Sequence, residues 1–239
     1  MARMAWSKLD GLLLVSGALG MFDKEICIEA GGYYSKTVGE DMEIVVRMRR
    51  FMVENNRKYN VAYVPDPLCW TEAPYTLNIL GRQRNRWTRG LIDTLTIHKK
   101  IFMNPKYGTF GIIGYSYWFF FEWIVILVEI TGFIFFLFSI LLGNINWGFF
   151  ALLIGFIYSY AVGMSVWAIL FEELTYHKYE KKSDIFRLVL TALMEPLIFH
   201  PMNVFWVLRG NLSFLAGNRD WGRMVRHGFE QVRLLMKSL

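Results

Sequence analysis

Apolar positions along the chain follow two regimes. From residue 1 to about 107 they come in short groups broken by charges, and from Phe110 to Leu208 they form long runs with few charges. In the first regime Leu12–Val15 runs into Ser16-Gly17-Ala18-Leu19-Gly20. This predicts a buried strand feeding a small-residue turn, where missing side chains let another group approach the backbone. Asp23 is placed to cap a short helix through Ala30, and Gly31-Gly32 to stop it with positive φ. Thr37 to Asn55 predicts the next helix, with Met42, Val45, Val46, Met48, Met52 and Val53 apolar and Arg47, Arg49 and Arg50 largely outward. Glu40 and Asp41 fall near its start, where the helix dipole favours negative charge. Val61–Val64 predicts a short strand ended by Pro65-Asp66-Pro67, with Asp66 fixing the turn. From Pro74 to about Phe102 a long helix is predicted, placing Gln83, Arg86, Trp87 and Gly90 on one face. Arg82, Arg84 and Arg89 lie off that face as solvent or lipid-headgroup contacts. Strands alternating with helices predict an α/β class, with too few strands for a complete sheet, so a partner half is expected.

In the second regime, Tyr115–Leu142 and Trp147–Phe171 each exceed the ~20 residues that cross a bilayer. The third run, Ile185–Leu208, is interrupted by Glu195-Pro196 and His200-Pro201. With the polar half cytosolic, the turn at Gly143–Asn146 lies outside and the loop carrying Lys178, Lys181 and Lys182 inside, as positive-inside topology requires. A third full crossing would strand Arg209, Arg219, Arg223, Arg226, Arg233 and Lys237 outside. The favoured reading is a re-entrant or interfacial element broken at its prolines, with a full crossing as the alternative. The predicted organisation is 1–108 polar, 109–208 membrane region and 209–239 basic cytosolic tail, in the inner or plasma membrane.

Composition supports this division: of 239 residues 54% are hydrophobic, against roughly 45–50% for soluble domains. The net charge of +6 is spread beside the hydrophobic runs and along the tail, which fits membrane topology and leaves no basic patch for nucleic acid. Cys27 and Cys69 have no metal-type spacing, and no cleaved leader is expected. Within the first membrane run Glu122 and Glu129 are two turns apart on one side, facing a glycan path or pairing with Arg or Lys of a neighbouring helix or with the missing N-terminal half. His200 reads as an interfacial or hydrogen-bonded histidine.

Taken in order, Val15-Ser16-Gly17-Ala18, Gly31-Gly32-Tyr33, Thr37-Val38-Gly39-Glu40-Asp41, Val64-Pro65-Asp66-Pro67 and Gln83-Arg84-Asn85-Arg86-Trp87, followed by membrane helices, resemble the acceptor half of membrane-embedded family 2 glycosyltransferases. Cellulose, chitin, hyaluronan and poly-N-acetylglucosamine synthases are of that group. The resemblance implies a GT-A, Rossmann-like α/β domain and inverting transfer from a nucleotide sugar to a saccharide or lipid acceptor. It assigns Asp41 as general base with Glu40 beside it, and Gln83, Arg86 and Trp87 to the departing diphosphate and acceptor sugar. Ser16 and Gly17 would line the acceptor pocket through backbone, or form a tight turn and nothing more. Elementary chemistry agrees, because a carboxylate is a base for a hydroxyl, a guanidinium grips phosphate oxygens and an indole face accepts sugar C–H groups. The bland readings are an acid stabilising a helix start and a basic helix with one core tryptophan. Trp221-Gly222-Arg223 resembles Trp-Gly-rich tails of some synthases, although an interfacial tryptophan beside basic residues suffices.

Family members also carry a nucleotide-binding segment and an Asp-x-Asp that holds Mg²⁺ or Mn²⁺ on the diphosphate. No Asp-x-Asp stands in this chain. The expectation is therefore a chain inactive alone, catalytic with an N-terminal half that is supplied by another polypeptide or is missing from this sequence. The alternative is a non-catalytic membrane partner that binds glycan or a synthase.

Overall fold

The computed structural model describes residues 2–14, 17, 19–65, 68–69, 71–176 and 181–222. The regular elements among these residues are helices, with no strand among them. They divide into two compact units, one formed by Ala2–Ile124 with Trp206 onward and the other by residues 125–205.

The first unit holds four helices, α1 (Ala2–Lys8), α2 (Lys24–Glu29), α3 (Glu40–Glu54) and α4 (Leu77–Ile97). Asp23 caps α2 as its position predicts, its Oδ1 accepting from the Glu25 and Ile26 amides, and Gly31 and Gly32 follow at φ 95° and 65°. The helix predicted over Thr37–Asn55 starts at Glu40, because Thr37 turns back to accept the Gly39 amide. The long helix is capped by Thr76 and closes at Ile97, shorter at both ends than the apolar pattern predicts.

The two predicted strands are corrected. Leu12 and Leu13 are buried without regular structure, and Arg49 takes carbonyls a ladder would use, donating to Leu12 O and Asp10 O at 2.7 and 2.6 Å. Residues 61–63 are held by α1, where Ser7 Oγ donates to Val61 O and accepts from the Tyr63 amide. A strand exists only where a neighbour completes its hydrogen bonds, and here side chains satisfy these groups. Arg49 is likewise a correction to the outward reading. It is 1% exposed, paired with Asp10 and stacked on Phe110 with 3.9 Å to the ring centroid.

The core gathers Leu13, Met42, Val46, Leu91, Leu95 and Tyr115, so α3 and α4 face each other across it. Tyr115 donates to Leu95 O at 2.8 Å. Beneath this core the buried Glu43 accepts from Arg47 and engages His98 Nε2 at 2.9 Å, tying α3 to the end of α4.

Three helices are long and apolar enough to cross a membrane: α5 (Phe110–Leu141), α6 (Trp147–Tyr176) and α7 (Lys182–Leu215). The predicted break in the third run is not a break, since the chain passes Pro196 in a π-helical stretch, Glu195–Phe199, and continues from His200. A wider π turn accommodates the amide that proline lacks. In the second unit Phe136 stacks on Phe150 at 4.3 Å, Tyr158 donates to Leu193 O, and Glu129 meets His200 Nε2 at 2.7 Å. His200 is thus hydrogen-bonded, as one of its two readings has it, while the partner of Glu129 is this histidine and not the arginine or lysine expected. Glu122, in the first unit, has Arg84 as its electrostatic partner.

Candidate active site

Two glycines bring the polar motifs together. Gly39 precedes Glu40-Asp41, and Gly90 lies one turn beyond Arg86 and Trp87 on α4. A Cβ on Gly39 would stand 2.6 Å from Gly90 Cα, and one on Gly90 would stand 2.7 Å from Gly39 Cα. Backbone therefore touches backbone where α3 begins, a separation that other residues cannot reach. The result is that Arg86 acts electrostatically on Asp41.

Asp41 accepts the Met42 amide through Oδ1 at 2.9 Å. A Cβ on Gly17 would meet its Oδ2 at 2.6 Å, so Gly17 approaches this carboxylate as only a residue without a side chain can. Burial pushes the Asp41 carboxyl above its usual 3.8, with Glu40 adding to the rise, while the Met42 amide and Arg86 oppose it. Ser16 and Asp66 lie outside the described residues.

Gln83 and Arg86 are half-buried on α4, and Trp87 is 49% exposed with the Arg84 guanidinium 4.9 Å from its ring centroid. An indole half open to solvent retains a face for a sugar ring. Arg86 lies 4.1 Å from the Trp221 ring centroid. The structure thus brings Asp41 to Gly17 and to Arg86, with Glu40 adjoining in sequence.

Several residues escaped the sequence reading. Arg89 is buried, not solvated: it donates to Asn85 Oδ1 and to the carbonyls of Asn218 and Asp220 at 2.9–3.0 Å. Arg219 reaches Lys36 O and lies 4.0 Å from the buried Asp93. The segment Asn218–Trp221 is thereby strapped onto α4. The end of α7 docks beside it, with Trp206 against Gly81, Gly210 against Thr88 and Ser213 bonded to Asn85. The Trp221-Gly222 pair was the sequence signal for this strap, but Arg89 gave none. Between α4, the end of α7 and the strap lies an open cleft of about 210 Å³.

Among the described residues no group of three His, Cys, Asp or Glu could hold a metal ion. These residues do not fit the Mg²⁺ or Mn²⁺ that the resemblance implies.

The ordered motifs between about Ser7 and Gly90 have counterparts in known proteins. A probable glycosyltransferase, YdaM, of Bacillus subtilis (strain 168) is 28% identical over 88 residues, which are 37% of this chain and 19% of that protein. A poly-beta-1,6-N-acetyl-D-glucosamine synthase of Staphylococcus aureus (strain COL) is 29% identical over 76 residues, 32% of this chain and 17% of that protein. The chain thus spans less than a fifth of the length of these relatives. No solved structure matches it. The sequence matches the family described as Glycosyl transferase family group 2 over residues 2–208, and the chain belongs to that family.

Proposed function

We propose that this chain supplies the acceptor and leaving-group side of an inverting glycosyl transfer, from a nucleotide sugar to a saccharide or lipid acceptor at the cytosolic face of the plasma membrane. The product class is a polysaccharide or other cell-envelope glycan. The observation that carries the reading is the Gly39–Gly90 contact, which sets Asp41 and Arg86 within electrostatic reach. Asp41 takes the proton of the acceptor hydroxyl as that oxygen attacks the anomeric carbon of the donor sugar. The bond from that carbon to the diphosphate breaks on the opposite side, which inverts the centre. Arg86 offsets the charge growing on the diphosphate, with Trp221 holding the guanidinium plane. Gln83 bonds hydroxyl or phosphate oxygens, and Trp87 stacks the acceptor ring. Glu40 raises the basicity of Asp41 by like charge. Donor and metal are held by a donor-binding half outside these residues, carrying the Asp-x-Asp.

The test is sugar incorporation from a panel of labelled nucleotide sugars, N-acetylglucosamine donors among them, in membranes holding this chain together with a family 2 donor-binding half. Asp41→Asn should lower incorporation by about 10²–10⁴-fold, the usual contribution of a general base. Equal activity of that variant would overturn the base assignment. Glycan binding without incorporation would favour a non-catalytic partner.

A further inference from the structure

The cleft on α4 carries more positive charge than the transfer reaction uses. Arg82, Arg86, Arg89 and Arg209 line it, against one carboxylate, Asp220. Arg82 and Arg86 are spaced i, i+4, an arrangement that destabilises a helix unless an anion lies between. The inner pair is already engaged: Arg89 holds the strap carbonyls, and Arg86 lies under Trp221. The outer pair is not. Arg82 and Arg209 are exposed and make no hydrogen bond or ion pair with a described residue. Asn78 adds an amide beside them, and Trp206, seated on Gly81, forms the floor.

We propose that this outer end of the cleft is a phosphate-binding site distinct from the transfer centre. Two guanidiniums from different helices can each present paired N–H donors to phosphate oxygens. The position indicates the source. Trp206 and Arg209 lie in the last turns of α7, a helix apolar enough to enter a membrane, and Leu212 and Leu215 on the same turns are exposed. A tryptophan and an arginine at the end of such a helix lie at headgroup depth. The phosphate is therefore that of an anionic lipid headgroup, and the site anchors α4 to the bilayer surface independently of sugar transfer.

The experiment is native mass spectrometry of the detergent-solubilised full chain with equimolar phosphatidylglycerol and phosphatidylcholine. Phosphatidylglycerol should be retained preferentially, and Arg82→Gln with Arg209→Gln should lower that retention by about tenfold or more, in keeping with roughly 1 kcal/mol per basic residue at an anionic surface. The charge-matched control Lys24→Gln with Lys58→Gln should retain it, with the same helical circular dichroism in all three proteins. Equal retention of both lipids, or unchanged retention by the arginine variant, overturns the site. A large excess of inorganic phosphate that strips phosphatidylglycerol from the wild type overturns the lipid source and assigns the cleft to a soluble anion.

Discussion

Asp41 and Glu43 stand two residues apart on α3, and their surroundings drive them in opposite directions. Burial dominates at Asp41 and holds its proton more tightly in the folded chain than in the unfolded one. A base must be ionised to act, so the acid limb of sugar incorporation should lie above pH 3.8, and Glu40→Gln should move it downward by removing a like charge. A pH–rate profile of the two proteins measures this, and an unmoved limb would dissociate Glu40 from the base. At Glu43 burial alone would raise the carboxyl, but the hydrogen bonds from His98 and Arg47 prevail and hold it below its usual 4.5. The sign follows: Glu43 stabilises the fold above its unfolded value, and that contribution is lost as the pH falls through the lower folded one. Glu43→Gln should cost about 3 kcal/mol at neutral pH, the low end for a broken buried pair, measured by denaturant unfolding in detergent. Neither behaviour was legible in the sequence. The motif order marked Asp41 as a base, while its place at a helix start argued only for a stabilising acid, and what buries Asp41 and pairs Glu43 comes from Gly17 and His98, distant in the chain. Arg49 was misread for the same reason, since its partners are the carbonyls of Asp10 and Leu12, some forty residues earlier.

The elements were easier to read than their partners. Helical periodicity located α2, α3 and α4 to within a few residues, because capping and apolar spacing are local. Apolar runs at 12–15 and 61–64 were read as strands, yet strand identity depends on a neighbouring ladder that no local pattern contains. What positions the site is the crossing of α3 and α4 at glycine. Gly90→Ala should force the two helices apart, costing about 1–3 kcal/mol for an overpacked contact, and should reduce incorporation more than Gly132→Ala, a glycine with open space around it. Thermal unfolding and transfer assays on the two variants check this, and equal behaviour would mean that the crossing does not set the site.

At the scale of the molecule, the family match over residues 2–208 joins the polar and membrane parts in one enzyme type, as the ordered motifs implied. The number of crossings was the least legible property, because charge counting favoured two while length alone allows three. The strap bears on it. Residues before α5 and residues after α7 are held together, Arg89 to Asn218 and Asp220, and Arg86 to Trp221. Single cysteines at Lys36 and Gly217, introduced after replacing Cys27 and Cys69, should therefore react with a membrane-impermeant maleimide from the same side of sealed vesicles. Labelling from opposite sides would refute the contact as a native one. Since a chain that leaves one aqueous compartment and returns to it must pass the bilayer an even number of times, labelling of both cysteines from one side would set the parity of the whole membrane region through a contact made by one arginine with two backbone carbonyls.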